Sequence, residues 1–347
     1  MPVTVAFSGE TYPTPAATVT SAETGMPVDY VYGPAVAADP ALIETVPAGL
    51  GEQFGLFSWG ALDVTEVIFN HVHAVAGLDL NYNSLVSVKF PLLEDVDVGN
   101  TQDGYLWVRS SSLTVFEAPL LRSVAGGVTI RDTLLTTINL PSLVHAAALE
   151  ATGNANLTAL ALPVCSALGA LQLEQNGFTT LAFSRVMDIP TLIVVMEPAL
   201  TLLDMTAIAG DMLELNIRQN PVLTTILLPE VTDITTTVTC YENTLLTTLT
   251  FGSLSSLTAA IIAIYNNPAL VALNFNGAFF SAAHPNLNFS GCAYNQATVD
   301  LILKAARDGN GTNGTLLLDG GTNAHPSATG LGYRTTLQGR GWTVTIN

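Results

Sequence analysis

One phrase recurs through residues 78–276, and a chain that repeats itself at this spacing can adopt very few architectures. Ile264-Tyr265-Asn266-Asn267-Pro268-Ala269-Leu270-Val271-Ala272-Leu273-Asn274-Phe275 carries it in full: an apolar pair, a polar turn with Asn, then L-x-x-L-x-F. Its first Leu, once replaced by Phe, recurs at Leu85, Leu113, Leu135, Leu157, Phe178, Leu200, Leu223, Leu246 and Leu270, at intervals of 28, 22, 22, 21, 22, 23, 23 and 24 residues. Apolar residues at fixed offsets in this period predict a solenoid whose coils bury their inner faces against one another.

Aligned phrases give two short strands per coil. The first carries inward pairs such as Leu106/Val108, Val128/Ile130, Ile193/Val195, Leu215/Ile217 and Val238/Cys240, alternating with the period of two that a strand imposes. The second ends in Pro at Pro91, Pro119, Pro141, Pro163 and Pro229, where the missing N–H marks a strand end. Asn83, Asn154, Asn176, Asn220, Asn243 and Asn267 fall in the turn between the two. A side-chain amide there can bond the backbone turns of neighbouring coils.

The expected fold is therefore mainly β: a parallel, right-handed solenoid of about nine coils, of 21–24 residues after the first interval, over residues 61–290. Residues 1–60 stand outside the repeat, rich in Pro and Gly (Pro13-Thr14-Pro15, Gly33-Pro34). They read as an irregular cap or an attachment arm, with a short helix starting at Asp39-Pro40. Residues 291–347 read as an α/β cap. A helix over 295–307 carries its acid early and its bases late; a strand at 315–318, a second helix over 327–338 and a strand at 342–346 follow.

The phrase L-x-I-x-x-N-P-x-L-x-x-L-x-L-P-x-L resembles the leucine-rich repeats of the receptor L-domain type, over roughly residues 78–276. That resemblance implies a non-enzymatic domain that binds proteins, peptides or glycans. The chain lacks the flanking cysteines of the receptor members. Gly311-Thr312-Asn313-Gly314-Thr315, Asp319-Gly320-Gly321-Thr322-Asn323-Ala324 and Gly341-Trp342-Thr343-Val344 are similar to C-terminal segments of repeat proteins from bacteriophages and bacteria.

Charge narrows the partners. The chain carries 11% charged residues, against about 25% in an ordinary domain, and a net charge of −18 with two lysines, Lys89 and Lys304. Phosphate contacts need clustered Lys or Arg, so a nucleic-acid partner is not expected. Attraction to an anionic membrane is disfavoured for the same reason. No apolar run is long enough to span a bilayer, and Met1-Pro2-Val3-Thr4-Val5 does not begin a signal peptide. Cys165, Cys240 and Cys292 are too scattered for a disulfide framework or a zinc site.

No catalytic residue, cofactor or metal site is expected. His71-Val72-His73 offers two imidazoles without a third ligand. Glu94-Asp95-Val96-Asp97, with Asn100 and Asp103, offers oxygens that match no calcium-loop spacing and reads as a solvated acidic loop. Glu117 and Asp204 share one column four coils apart, roughly 19 Å at about 4.8 Å per coil, too far for paired glycoside-cleaving carboxylates.

What remains is the outward face of the first sheet. Trp107, Arg109, Arg131, Glu174, Arg218, Tyr241 and Tyr265 are expected there, with Val194 and Met196 in the coil between Glu174 and Arg218. Arg and aromatic residues are the usual anchors of recognition surfaces. The expectation is a non-enzymatic virion or particle-surface protein: a capsid decoration, a fibre or a receptor-binding component on the virion surface. It would hold other virion proteins or sister subunits through residues 1–60 and meet a host-surface protein or glycan. The alternatives are a secreted, adhesin-like bacterial module on an extracellular or cell surface, and a polysaccharide-degrading enzyme, which the carboxylate spacing argues against.

Overall fold

Each recurring Leu becomes an inward-facing, buried side chain of a stacked coil. A computed structural model describes the strands Thr18–Val19, Tyr30–Tyr32, Ala41–Glu44, Gln53–Trp59, Glu66–Phe69 and Ala74–Asn81, then residues 85–96, 104–183, 188–281 and 285–347. The chain divides into two compact units, Met1–Gln172 and Leu173–Asn347. Both are built from parallel coils stacked strand on strand, as in a β-solenoid.

In unit 1, Gln53–Trp59, Ala74–Asn81, Leu106–Arg109, Ser123–Arg131 and His145–Thr152 pair successively in parallel. Shorter strands pair on the second side, among them Glu66–Phe69 with Ser87–Lys89 and Ser87–Lys89 with Val115–Glu117. Leu85, Leu113, Leu135 and Leu157 lie in the core. Within residues 1–60, three of the described strands lie in parallel ladders, Gln53–Trp59 with Ala74–Asn81 among them. Tyr30–Tyr32 pairs in parallel with Gln53–Trp59, and Ala41–Glu44, where the cap signal at Asp39-Pro40 predicts a helix, is a strand parallel to Glu66–Phe69. Ladder pairing with the next coil overrides the local preference.

Unit 2 continues the same logic. Thr191–Val195, Ala209–Arg218, Glu230–Tyr241, Ile261–Tyr265 and Asn286–Asn288 form one parallel sheet, and Thr180–Ala182, Leu202–Asp204, Thr225–Leu228, Thr248–Phe251 and Ala272–Asn274 form the other. The core ends in aromatic contacts, with Phe275 against Phe251, Phe280 and Phe289, and Phe289 against buried Tyr294.

The C-terminal elements then take the second-side role from strands and give it to helices. Helix α1, Gln296–Asp308, is capped by Asn295, whose side chain accepts from the Thr298 N–H at 2.9 Å; helix α2, Ala328–Gly339, is capped by Ser327. The strands Thr315–Leu318 and Thr343–Ile346 extend the first sheet in parallel. The expected α/β tail is present, and it adds strands to the sheet. Both helices pack on the second side: α1 lies against Phe279–Phe280 and α2 against α1.

A backbone feature recurs at seven of the described turns. The residue after the first strand is left-handed, with φ between 50° and 59° at Asp132, Gln175, Met196, Gln219, Glu242 and Asn266, and φ 70° at Gly153. Such a conformation costs a non-glycine residue about 1–3 kcal/mol and persists where surrounding bonds enforce it. The next residue supplies those bonds, because Thr133, Asn154, Asn176, Glu197, Asn220, Asn243 and Asn267 are all buried.

Candidate functional site

The buried ladder fixes the outward rows, so it is described first. In unit 2, Asn243 Oδ1 accepts from the Asn220 N–H at 3.1 Å and from Asn220 Nδ2 at 3.0 Å, while Asn243 Nδ2 donates to the Ile217 carbonyl at 3.0 Å. Asn267 repeats this one coil on, accepting from the Asn243 N–H at 3.0 Å and donating to the Cys240 carbonyl at 2.8 Å. In unit 1, Asn154 Oδ1 accepts from the Thr133 N–H and hydroxyl, and its amide donates to the Ile130 carbonyl. These are the coil-to-coil bonds expected of the turn asparagines. Asn83 lies outside the described residues.

Strand registers place the predicted face. In unit 1, Trp107 stands opposite Thr129, and Arg109 opposite Arg131. Trp107 is 46% exposed and meets Tyr105 edge to face, with ring centroids 6.0 Å apart. Two guanidinium groups one coil apart repel, and each is neutralised. Arg109 Nη2 lies 2.9 Å from Asp132 Oδ2, and Arg131 pairs diagonally with Glu150, whose oxygen also accepts from the Thr152 hydroxyl. Neither carboxylate was expected to pair with an arginine. The unit 1 face is therefore an aromatic patch beside internally compensated charges.

In unit 2, Arg218, Tyr241 and Tyr265 fall in one row, with Arg218 opposite Tyr241 and Tyr241 opposite Tyr265. The tyrosine rings stack at 4.8 Å and 17°, and Arg218 Nη1 donates to Tyr241 Oη at 2.9 Å. That acceptor is neutral, so this bond leaves the guanidinium its full charge. Burial first, then the Tyr241 and Glu242 neighbours, push the Tyr265 phenol up, which keeps it a hydroxyl donor at physiological pH. Glu174 stands half-buried on an outward position of its own strand.

The coil between Glu174 and Arg218 requires a correction. Val194 pairs with Ile217 and Val195 with Arg218, so Leu192 and Val194 are the inward pair, where the phrase alignment puts Ile193 and Val195. Val194 is buried, and Met196 is the left-handed turn residue, outside the strand. The row carries Val195 beside Arg218, and Val195 itself is almost wholly covered.

His71 and His73 lie outside the described residues, as do Asp97, Asn100 and Asp103 of the acidic loop, while Asp95 is exposed in a two-residue strand. Among the described residues no three His, Cys, Asp or Glu side chains gather where they could hold a metal ion. Cys165, Cys240 and Cys292 are buried. No helix among the described residues is long and apolar enough to cross a membrane.

The expected turn asparagines leave out three ladder residues: Thr133, Asn323, which accepts from the Tyr294 N–H and donates to the Phe289 carbonyl, and Glu197. Glu197-Pro198-Ala199-Leu200 lines up with Asn220-Pro221-Val222-Leu223 and Asn267-Pro268-Ala269-Leu270, so the signal was present in the dipeptide before the phrase Leu. Comparison with protein-family models, with curated proteins and with solved structures finds no match for this chain, so the functional reading rests on the chemistry of its own surface.

Proposed function

We propose that the protein is a non-enzymatic component of a particle surface, most economically a virion protein, that binds a host-surface protein or glycan through the outward face of its first sheet. The observation that carries this reading is the row Arg218–Tyr241–Tyr265: a cation bonded to a neutral hydroxyl, continued by two stacked rings, on a rigid sheet of a strongly acidic chain. Side chains held in place beforehand lose little entropy on binding. The ring faces lie against each other, so hydroxyl edges and the guanidinium meet a partner, which suits acidic or hydroxyl-rich groups.

The repeat phrase and the buried asparagine ladder favour coils of the leucine-rich, L-domain-like kind. Residues 1–60 would then attach the protein to virion proteins or to sister subunits. Mass spectrometry of purified particles tests the location. Binding of the isolated protein to host cells, compared with Arg218→Ala and Tyr241→Ala, tests the face. Absence from particles together with a processed, exported product would favour the secreted adhesin. Binding unchanged in both variants would remove this face from the mechanism.

A further inference from the structure

Glu197 stands in unit 2 where the following coils carry Asn, and the exchange alters what the ladder can do. The side chain is fully buried. Its Oε1 accepts from Asn176 Nδ2 at 2.8 Å and from the Asn176 N–H at 3.2 Å; its Oε2 accepts from that same N–H at 3.1 Å. The Glu197 N–H donates in turn to Asn220 Oδ1 at 2.9 Å. The acceptor half of the asparagine role is thus kept.

The donor half is different. Asn220, Asn243 and Asn267 each send an amide hydrogen back to the last inward carbonyl of the preceding strand, at Val194, Ile217 and Cys240. The corresponding carbonyl behind Glu197 is that of Leu173, the last buried residue of the strand Ala170–Glu174. A carboxylate has no hydrogen to give it, and a carboxylic acid has one.

We propose that Glu197 is a protonation-controlled latch: as the neutral acid it completes the ladder by donating to the Leu173 carbonyl, and on ionising it leaves a buried charge that loosens the first coils of unit 2. The direction of its titration agrees. Burial is the largest influence and, with the like charge of Glu174, it outweighs the Asn176 hydrogen bonds and pushes the carboxyl up to about 7. Among the described residues the charged group acting on it is Glu174; from the following coil it meets the neutral amide of Asn220.

A proton held more tightly in the folded chain than in the unfolded chain stabilises the fold fully below the unfolded value of 4.5, and that stabilisation is lost as pH rises through about 7. Across that window the local folding equilibrium should change on the order of a hundredfold. An ordinary paired carboxylate has the opposite sign.

The test uses the full chain. Carboxyl carbon shifts of labelled protein, with Glu197 assigned by its disappearance in Glu197→Gln, should give a midpoint near 7; a midpoint in the ordinary range, about 4.3, overturns the proposal. Hydrogen exchange at the Asn176 and Asn220 amides, corrected for intrinsic base catalysis, should lose about a hundredfold in protection between pH 5 and pH 8.5 in the wild type and stay level in Glu197→Gln. Parallel profiles in the two proteins would refute the latch even if the midpoint is raised. Should the Gln variant fail to fold, Glu197→Asn, which installs the residue of the neighbouring coils, replaces it.

Discussion

Replacing Asn243 by Ala would measure what the buried ladder contributes. The side chain is fully buried and serves two backbone groups that belong to different parts of the preceding coil: the N–H of Asn220 and the carbonyl of Ile217. Neither has water as an alternative once the coils are stacked, because both residues are buried. An orphaned buried donor or acceptor costs about 1–3 kcal/mol, so two of them, partly relieved by relaxation, should destabilise unit 2 by about 2–5 kcal/mol. That is a large share of the roughly 5–15 kcal/mol available to a folded domain.

The assay is urea unfolding followed through Trp342, which is buried in unit 2, in a background where Trp59 and Trp107 are Phe. Asn243→Asp separates the two roles, since it keeps the acceptor for Asn220 throughout but has a hydrogen for the Ile217 carbonyl only as the neutral acid. It should cost less than the Ala variant in acid, and more as pH rises and the buried carboxyl is forced to ionise. A loss under about 1 kcal/mol for Asn243→Ala would refute the reasoning, because it would mean the left-handed turns and strand pairing hold the coils without the side chains.

Other consequences are equally direct. A Cβ at Gly314 would sit 2.8 Å from three atoms of the Trp342 ring, whose Nε1 is fixed to the Gly311 carbonyl at 2.8 Å, so Gly314→Ala should cost about 1–3 kcal/mol and change the Trp342 emission. Arg109 and Asp132 are about half exposed, so Arg109→Ala should change the melting free energy by no more than about 1 kcal/mol, while any role of the Trp107 patch would appear as lost binding. Burial pushes the Cys240 and Cys292 thiols up and covers Cys165, so a disulfide reagent should find no reactive thiol in the folded protein and three after unfolding. Removing residues 1–60 should abolish joining to particles if they form the attachment. Unaltered assembly would sink that idea.

The repeat made the architecture readable because each coil states its own core. Leu113, Leu135, Leu200, Leu223 and Leu246 are buried where the phrase puts them, and the asparagine turns carry the bonds that buried amides require. The C-terminal helices were legible for a different reason. Their limits are set by local chemistry, the Asn295 and Ser327 caps, which needs no knowledge of neighbours. Residues 1–60 were not legible. Their strands form by pairing with later coils, Tyr30 opposite Phe57 and Ala41 opposite Glu66, and no phrase within the segment announces those partners.

The outward face was legible wherever an inward residue anchored the count and failed where the anchor was ambiguous. Thr191-Leu192-Ile193-Val194-Val195 offers four apolar residues in succession, so alternation alone allows either register. What selects the observed one is the turn: Glu197 occupies the ladder position, Met196 the left-handed position, and counting back from them makes Val195 the partner of Arg218. The choice matters for function. A one-residue slip would turn Val194 outward and bring the polarizable Met196 into line with Arg218. In the observed register the row ends in Val195, almost wholly covered, so the half-buried row of unit 2 that carries the proposed contact begins at Arg218 and runs through the two tyrosines. Replacing the almost wholly covered Val195 by the larger, polar Gln should therefore cost about 1–3 kcal/mol of stability as well as obstruct the approach to Arg218. If Val195→Gln and Arg218→Ala affected binding independently, to the same degree alone as together summed, the two positions would not belong to one contact surface.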